Sequence, residues 1–510
     1  MSHRDSTRRE FLRTTAGSLA GLSGGLAFLS HLPRVSAEDA AVNPDLVRYH
    51  DRIEPLVRLI EETPRETLLE RVAEQIRGGR SYGEVLASLL LAGVRNVQPR
   101  PSVGFKFHCV LVVNSCHLAS LAGPDEDRWL PLFWGLDYFK SSQADEAKST
   151  GWRMKPVHES LVPDAAHARA MFTEAMESWD EDKADAAAAG LVRTAGATDV
   201  FNLFAEYAAR DFRSIGHKAI YLANSWRTLQ VIGWEFAEPV LRSLAFALLN
   251  HSEEANPAES DLAADRPWRE NEAKIDRIPA DWIGGTVDSA ATTQLFDAFR
   301  NAGPADAAET AAEAMSRGIG AQSIWDGVFV GAGELLMRQP GIIGLHGLTT
   351  ANAMYYLWKN AADDRLRKRL LLQACSFNTM FREAAMGRGS LNDQTITALE
   401  PATLQSSGAA AVDEILAAIS GDRLQAAAKV YGYLSTGGDA DALIDAARRV
   451  LFLKGDNAHD YKFSEAVLED YRHVSPEYRD RFMATAVFNL RGSGDRDSGL
   501  VQRTRAAFVG

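Results

Sequence analysis

A chain of 510 residues can bury a large core and divide into two to four units. Its 46% hydrophobic and 24% charged content is that of a folded globular protein and excludes general disorder. With 55 basic against 68 acidic residues the formal charge is −13, which argues against nucleic acid or an anionic membrane surface as the main partner and leaves a small neutral or cationic molecule as the natural ligand.

Residues 1–37 read as an export signal. Thr7-Arg8-Arg9-Glu10-Phe11-Leu12-Arg13 is a twin-arginine pattern, a glycine-rich apolar run extends from Ala16 to Leu32, and Val35-Ser36-Ala37 is a small-residue cleavage site. Cleavage is expected after Ala37, because the run is short for a membrane span and is broken by glycines. This predicts a partner in the twin-arginine export machinery, a periplasmic or secreted mature protein, and no membrane attachment after cleavage. That route carries folded proteins, often because a cofactor is inserted first.

From Asn43 onward the apolar spacing is helical, and no run alternates as a strand would, so the chain is expected to be all-α. Asn43-Pro44-Asp45 is read as the cap of a first helix running through His50 and Ile60, and Thr63-Pro64-Arg65-Glu66 starts a second. Four similar stretches then recur: Phe107-His108 to Asn114-Ser115, Gly216-His217 to Asn224-Ser225, Leu345-His346 to Asn352-Ala353, and Ala458-His459-Asp460-Tyr461-Lys462. In each, a histidine stands where a loop gives way to an apolar helix. The fourth has Glu465 where the others carry asparagine.

These stretches predict about four divergent four-helix repeats, over 43–145, 179–255, 289–390 and 405–510, arranged as antiparallel helix pairs in a solenoid or a closed toroid. Polar, tryptophan-containing insertions from Ser142 to Ser178 and from Asn250 to Asp288 are expected to cover one face of the stack.

If the units stack in one sense, His108, His217, His346 and His459 face a shared space. The positive end of a helix disfavours imidazolium, so each is expected to stay neutral and serve as a metal ligand, a general base or a hydrogen-bond donor. Iron, copper or zinc would suit several neutral histidines with a nearby carboxylate. Asp211 reads either as the orienting partner of His217 or as part of a local ion pair at a solvated helix end, and Asp460 belongs to a second candidate catalytic corner, His459-Asp460-Tyr461-Lys462. His117 reads as a core histidine, and most of the aromatic set Trp134, Trp226, Tyr355, Tyr356 and Trp358 reads as core. A helix end that merely needs capping is better served by Ser, Thr, Asn or Asp than by histidine.

The three cysteines, Cys109, Cys116 and Cys375, make no disulfide framework, and Cys109 and Cys116 lie roughly 10 Å apart along one helix. The sequence has no CxxCH, which excludes c-type haem, and no CxxC pair, which argues against iron–sulfur clusters and structural zinc. P-loop, GxSxG and HExxH motifs are also absent, so nucleotide-driven and common hydrolase chemistries are disfavoured.

Phe107-His108 with its apolar helix and tryptophan-containing partner helix, and Leu345-His346-Gly347-Leu348-Thr349-Thr350-Ala351 with its partner, resemble the repeated histidine-bearing helices of the questin oxidase-like family. The resemblance implies an all-helical oxidase acting on aromatic, polyketide-type substrates by oxygen insertion and ring opening. The export signal, the acidic insertions and the His459 motif depart from that pattern.

The resulting expectation is an exported oxidoreductase-like protein acting on a small organic molecule at a histidine-lined site, with or without a transition metal. A non-enzymatic periplasmic binding or scaffold protein is the alternative, and a polysaccharide hydrolase or lyase of toroid type is a third. An enzyme should gather the four histidines at one enclosed cavity, whereas a scaffold should scatter them along an open groove.

Overall fold

The computed structural model describes residues 46–99, 105–249, 255–257 and 259–509. The export signal and the Asn43-Pro44-Asp45 cap lie outside this set. The all-α expectation holds: the described residues form helices joined by turns, and the lone β-bridge pairs Thr286 with Ile319. None of the described helices is long and apolar enough to cross a membrane.

Many helix starts are dictated locally. Asp180, Asp363, Asp422, Asp439 and Asn457 each accept backbone N–H bonds as N-caps, and Ser81 with Glu84 forms a capping box. Some starts differ from the sequence reading: the helix expected from Thr63-Pro64-Arg65-Glu66 begins at Leu68, and the His346 helix begins a turn earlier, at Ile342. The first described helix is Glu54–Glu62 and does not include His50, because Pro55 lacks an N–H and favours the first turn of a helix over its interior.

Four helices form the centre. The first is His108–Leu111 continued, past a break at Val112, by Val113–Ala122; the others are His217–Ile232, Ile342–Asn360 and Ala458–Asp470. They pack as a closed ring, each touching the next and the fourth returning to the first. Cross-helix bonds mark the seams: Asn224 donates to the Leu111 carbonyl at 2.8 Å, Arg227 to Asn352 at 3.0 Å, and Asn352 to Asp470 at 2.8 Å.

Sequence explains why these four are internal. The run from His217 to Trp226 is buried on every side, and a helix without a polar face has no way to meet water. The outer helices are one-sided, as in Leu68–Arg77, where Leu68, Leu69, Val72 and Ala73 are buried and the remaining face is charged. Tyr82–Asn96 and Leu130–Ser149 flank the first central helix, Ala197–Ala209 and Ala237–Leu248 the second, Ala321–Arg338 and Asp364–Met386 the third, and Ala440–Lys454 the fourth.

The C-terminal helix Gly499–Val509 packs against the first helices rather than the fourth unit's own. Arg505 bonds Asp127 at 2.8 Å, and the Phe508 ring lies 5.0 Å from that of Phe133.

Candidate metal centre

The four repeated histidines converge at one end of the central ring. Neighbouring imidazole centroids stand 5.2 Å apart for His108 and His217, 4.6 Å for His217 and His346, 5.2 Å for His346 and His459, and 4.6 Å for His459 and His108. His108, His217 and His346 are at most 4% exposed, while His459 is half-buried. The ligand nitrogens of His108, His346 and His459 all lie within 4.8 Å of one another. His217 Nε2 adds contacts of 3.3 Å to His108 Nε2 and 3.1 Å to His346 Nε2.

The backbone sets the ring orientations. His108 and His217 are the first residues of their helices and His459 the second, but His346 sits one turn inside a helix that begins at Ile342. His346 Nδ1 lies 2.6 Å from the Ile342 carbonyl, and His217 Nδ1 lies 2.8 Å from the Ser214 carbonyl. A carbonyl only accepts, so in both residues the Nδ1 carries the proton and the Nε2 presents a lone pair.

Two such lone pairs 3.1 Å apart cannot hydrogen-bond each other, and they repel unless a cation lies between them. A proton is a poor candidate. Burial holds the pKa of both His217 and His346 well below the ordinary histidine value, with nearby charge adding to the effect, and burial with the Lys462 charge brings His459 down to about 4. A metal ion is the better candidate. Nitrogens bound at about 2.0–2.1 Å with tetrahedral angles stand about 3.3 Å apart, close to the two His217 separations, while the nitrogens of His108, His346 and His459 lie within the wider limit of 4.8 Å. The carbonyl bonds on Nδ1 are the outer contacts that metal-binding histidines commonly make.

Neutrality was anticipated from the helix N-termini. Burial is the stronger cause.

The corner before His217 is specialised. Ile215 and Gly216 both have positive φ, 44° and 80°, and a side chain at Gly216 would overlap Thr350 Oγ1. Glycine therefore lets the second and third central helices approach closely enough for His217 to meet His346.

The two expected carboxylates do not serve the ring. Asp211 bonds Lys218 Nζ at 2.6 Å, with both side chains buried, so the His217 partner is the Ser214 carbonyl instead. Asp460 receives Arg491 at 2.7 Å and the Asn457 side chain at 3.1 Å, latching the start of its helix. His117 is partly buried and lies 3.0 Å from the Tyr82 hydroxyl, away from the ring. The three cysteines are buried and free. Trp134 stacks on Tyr461 at 4.1 Å, and Trp325, Tyr355 and Trp358 form a cluster, so these aromatics are packing residues.

One functional group was undervalued by the sequence reading. Lys462, one turn beyond His459, is buried, and its Nζ has no hydrogen-bond partner. Burial lowers its pKa to about 7. It borders a narrow cavity between the four central helices, one to three turns past the histidines and also lined by Asn114, Asn224, Asn352 and Glu465, with about 10 Å³ of free space, room for at most about one water. The three asparagines thus belong to one layer, although their offsets from the histidines differ.

No family model matches the sequence, and no curated protein or solved structure is significantly similar to it.

Proposed function

We propose that the chain is an exported metalloprotein of oxidoreductase type, with a transition metal held at the axis of the helical ring by His108, His217, His346 and His459. The observation that carries this reading is the 3.1 Å approach of His217 Nε2 to His346 Nε2, when both Nδ1 protons are committed to backbone carbonyls. All-imidazole ligation suits iron, copper or zinc, and the twin-arginine pattern is consistent with a cofactor inserted before export. The resemblance to questin oxidase-like helices points the same way, toward oxygen chemistry. The cavity beyond the ring, however, suits a ligand of water size better than an aromatic ring.

This chain's residues would hold the metal, keep the imidazoles neutral by burying them, and place Lys462 as a hydrogen donor beneath it. When bound, the metal supplies Lewis acidity and, for iron or copper, electron transfer. A second reading is favoured by the small cavity: the metal would only staple four helices together in a binding or scaffold protein.

Elemental analysis of the purified full chain and of the double variant His217→Ala/His346→Ala tests the centre itself. About one transition metal per chain is expected in the natural protein and none in the variant, with helical content by circular dichroism unchanged. Absence of metal from both, after incubation with iron, copper and zinc salts, would remove the proposal.

A further inference from the structure

One turn past the histidines along the four central helices lies the narrow polar cavity bordered by Lys462.

A side chain on a helix leans back toward the N-terminus. Lys462 lies one turn after His459, so its amine leans back toward the histidines, and its charge acts on His217, His346 and His459 alike. Nζ brings only donors. With no partner in the surrounding protein, it is left with a desolvation cost that an acceptor in the cavity would relieve. Glu465 Oε1, on the next turn, is likewise buried and unpartnered, which makes the cavity a place prepared for a hydrogen-bonding guest rather than a packing fault.

Building on the reading of the ring as a metal centre, we infer that Lys462 Nζ donates a hydrogen bond to a small oxygen-bearing ligand of water size, which would occupy an exchangeable position of the metal on the Lys462 side. A donor there stabilises negative charge on the bound oxygen. It also separates a working centre from a staple, whose metal would have no exchangeable position.

The test uses the full chain loaded with cobalt(II), whose visible absorption reports its ligands, titrated with fluoride as a single-atom anionic acceptor. In the natural protein fluoride is expected to shift the bands. In Lys462→Met, which keeps length and loses the donors, the titration midpoint should rise at least tenfold at unchanged cobalt stoichiometry. Lys462→Gln, which keeps an N–H donor without the charge, should fall between the two, and it carries the comparison if Lys462→Met loses cobalt or helical content. Equal midpoints in the natural protein and the variants, or no shift with fluoride in a cobalt-loaded chain, would overturn the inference while leaving the metal centre standing. Failure of the natural protein to take up cobalt would instead strike the metal reading itself, and the inference with it.

Discussion

Glu465 replaces an asparagine in the layer below the histidines, and the exchange has a measurable consequence. Burial raises its pKa to about 7 from 4.5, although Arg448 at 3.0 Å pulls in the opposite direction. A carboxyl raised in this way binds its proton more tightly in the folded than in the unfolded chain. Its contribution to stability is therefore complete below about pH 4.5 and is lost as pH rises through about 7. Glu465→Gln, neutral at every pH, should match the natural protein in urea denaturation at pH 4.5 and exceed it at pH 8.5 by up to about 3 kcal/mol. A constant difference at both pH values would show that Glu465 does not titrate with folding. The sequence made this position visible only as a departure from the asparagine pattern. The histidines were plain because a residue that caps poorly recurred at four stretches that read as helix starts, three of which are, with His346 one turn inside its helix, whereas Lys462 looked like one polar group among four in a single turn. Its isolation depends on neighbours contributed by three other helices, and no local pattern encodes that. Asp211 was misread for a similar reason: nearness in sequence favoured His217, but the next residue, Lys218, reaches it first.

At the scale of a helix, Ile342–Asn360 shows how close approach is written in small residues. Two of its glycines look alike in sequence and face different neighbours. A Cβ at Gly344 would stand 2.7 Å from the Leu336 Cα, which is backbone and cannot turn aside. One at Gly347 would meet the Phe381 ring at 3.7 Å, an ordinary contact. Gly344→Ala should therefore destabilise the protein by roughly 1–3 kcal/mol through overpacking and shift the helix that carries His346. Gly347→Ala should stabilise by up to about 1 kcal/mol, since alanine loses less chain entropy in a helix. Chemical denaturation of the two variants checks the pair, and shifts of the same sign would mean the helix is not seated as described. Helix class and many starts were legible because periodicity and Asp or Asn caps are local signals. The spacing between helices was not, since it depends on which neighbour each glycine meets. The placement of the Gly499–Val509 helix against the first helices was hidden for the same reason, resting on pairs such as Arg505 with Asp127.

At the scale of the whole chain, the four histidines come from central helices that begin at residues 108, 217, 342 and 458. Neutral imidazoles from such distant segments meet only when the ring is closed, so a metal bound there favours the folded chain over the unfolded one. A ligand that binds only the folded state stabilises by RT ln(1 + [L]/Kd), about 4 kcal/mol at a thousandfold excess over Kd. Chelator-treated protein should therefore melt several degrees below the metal-loaded form when followed by helical circular dichroism, and re-addition of metal should restore the difference. In His217→Ala, the loss of one ligand together with the 3.1 Å Nε2 contact should abolish most of that increment. The variant's metal-free melting should change little, because removing His217 also relieves a lone-pair repulsion. A metal-dependent shift of equal size in the natural protein and in His217→Ala would place the stabilising ion elsewhere on the acidic surface. A large loss of metal-free stability in His217→Ala would mean that the histidines hold the helices together without a metal, and the ring would then be a packing device.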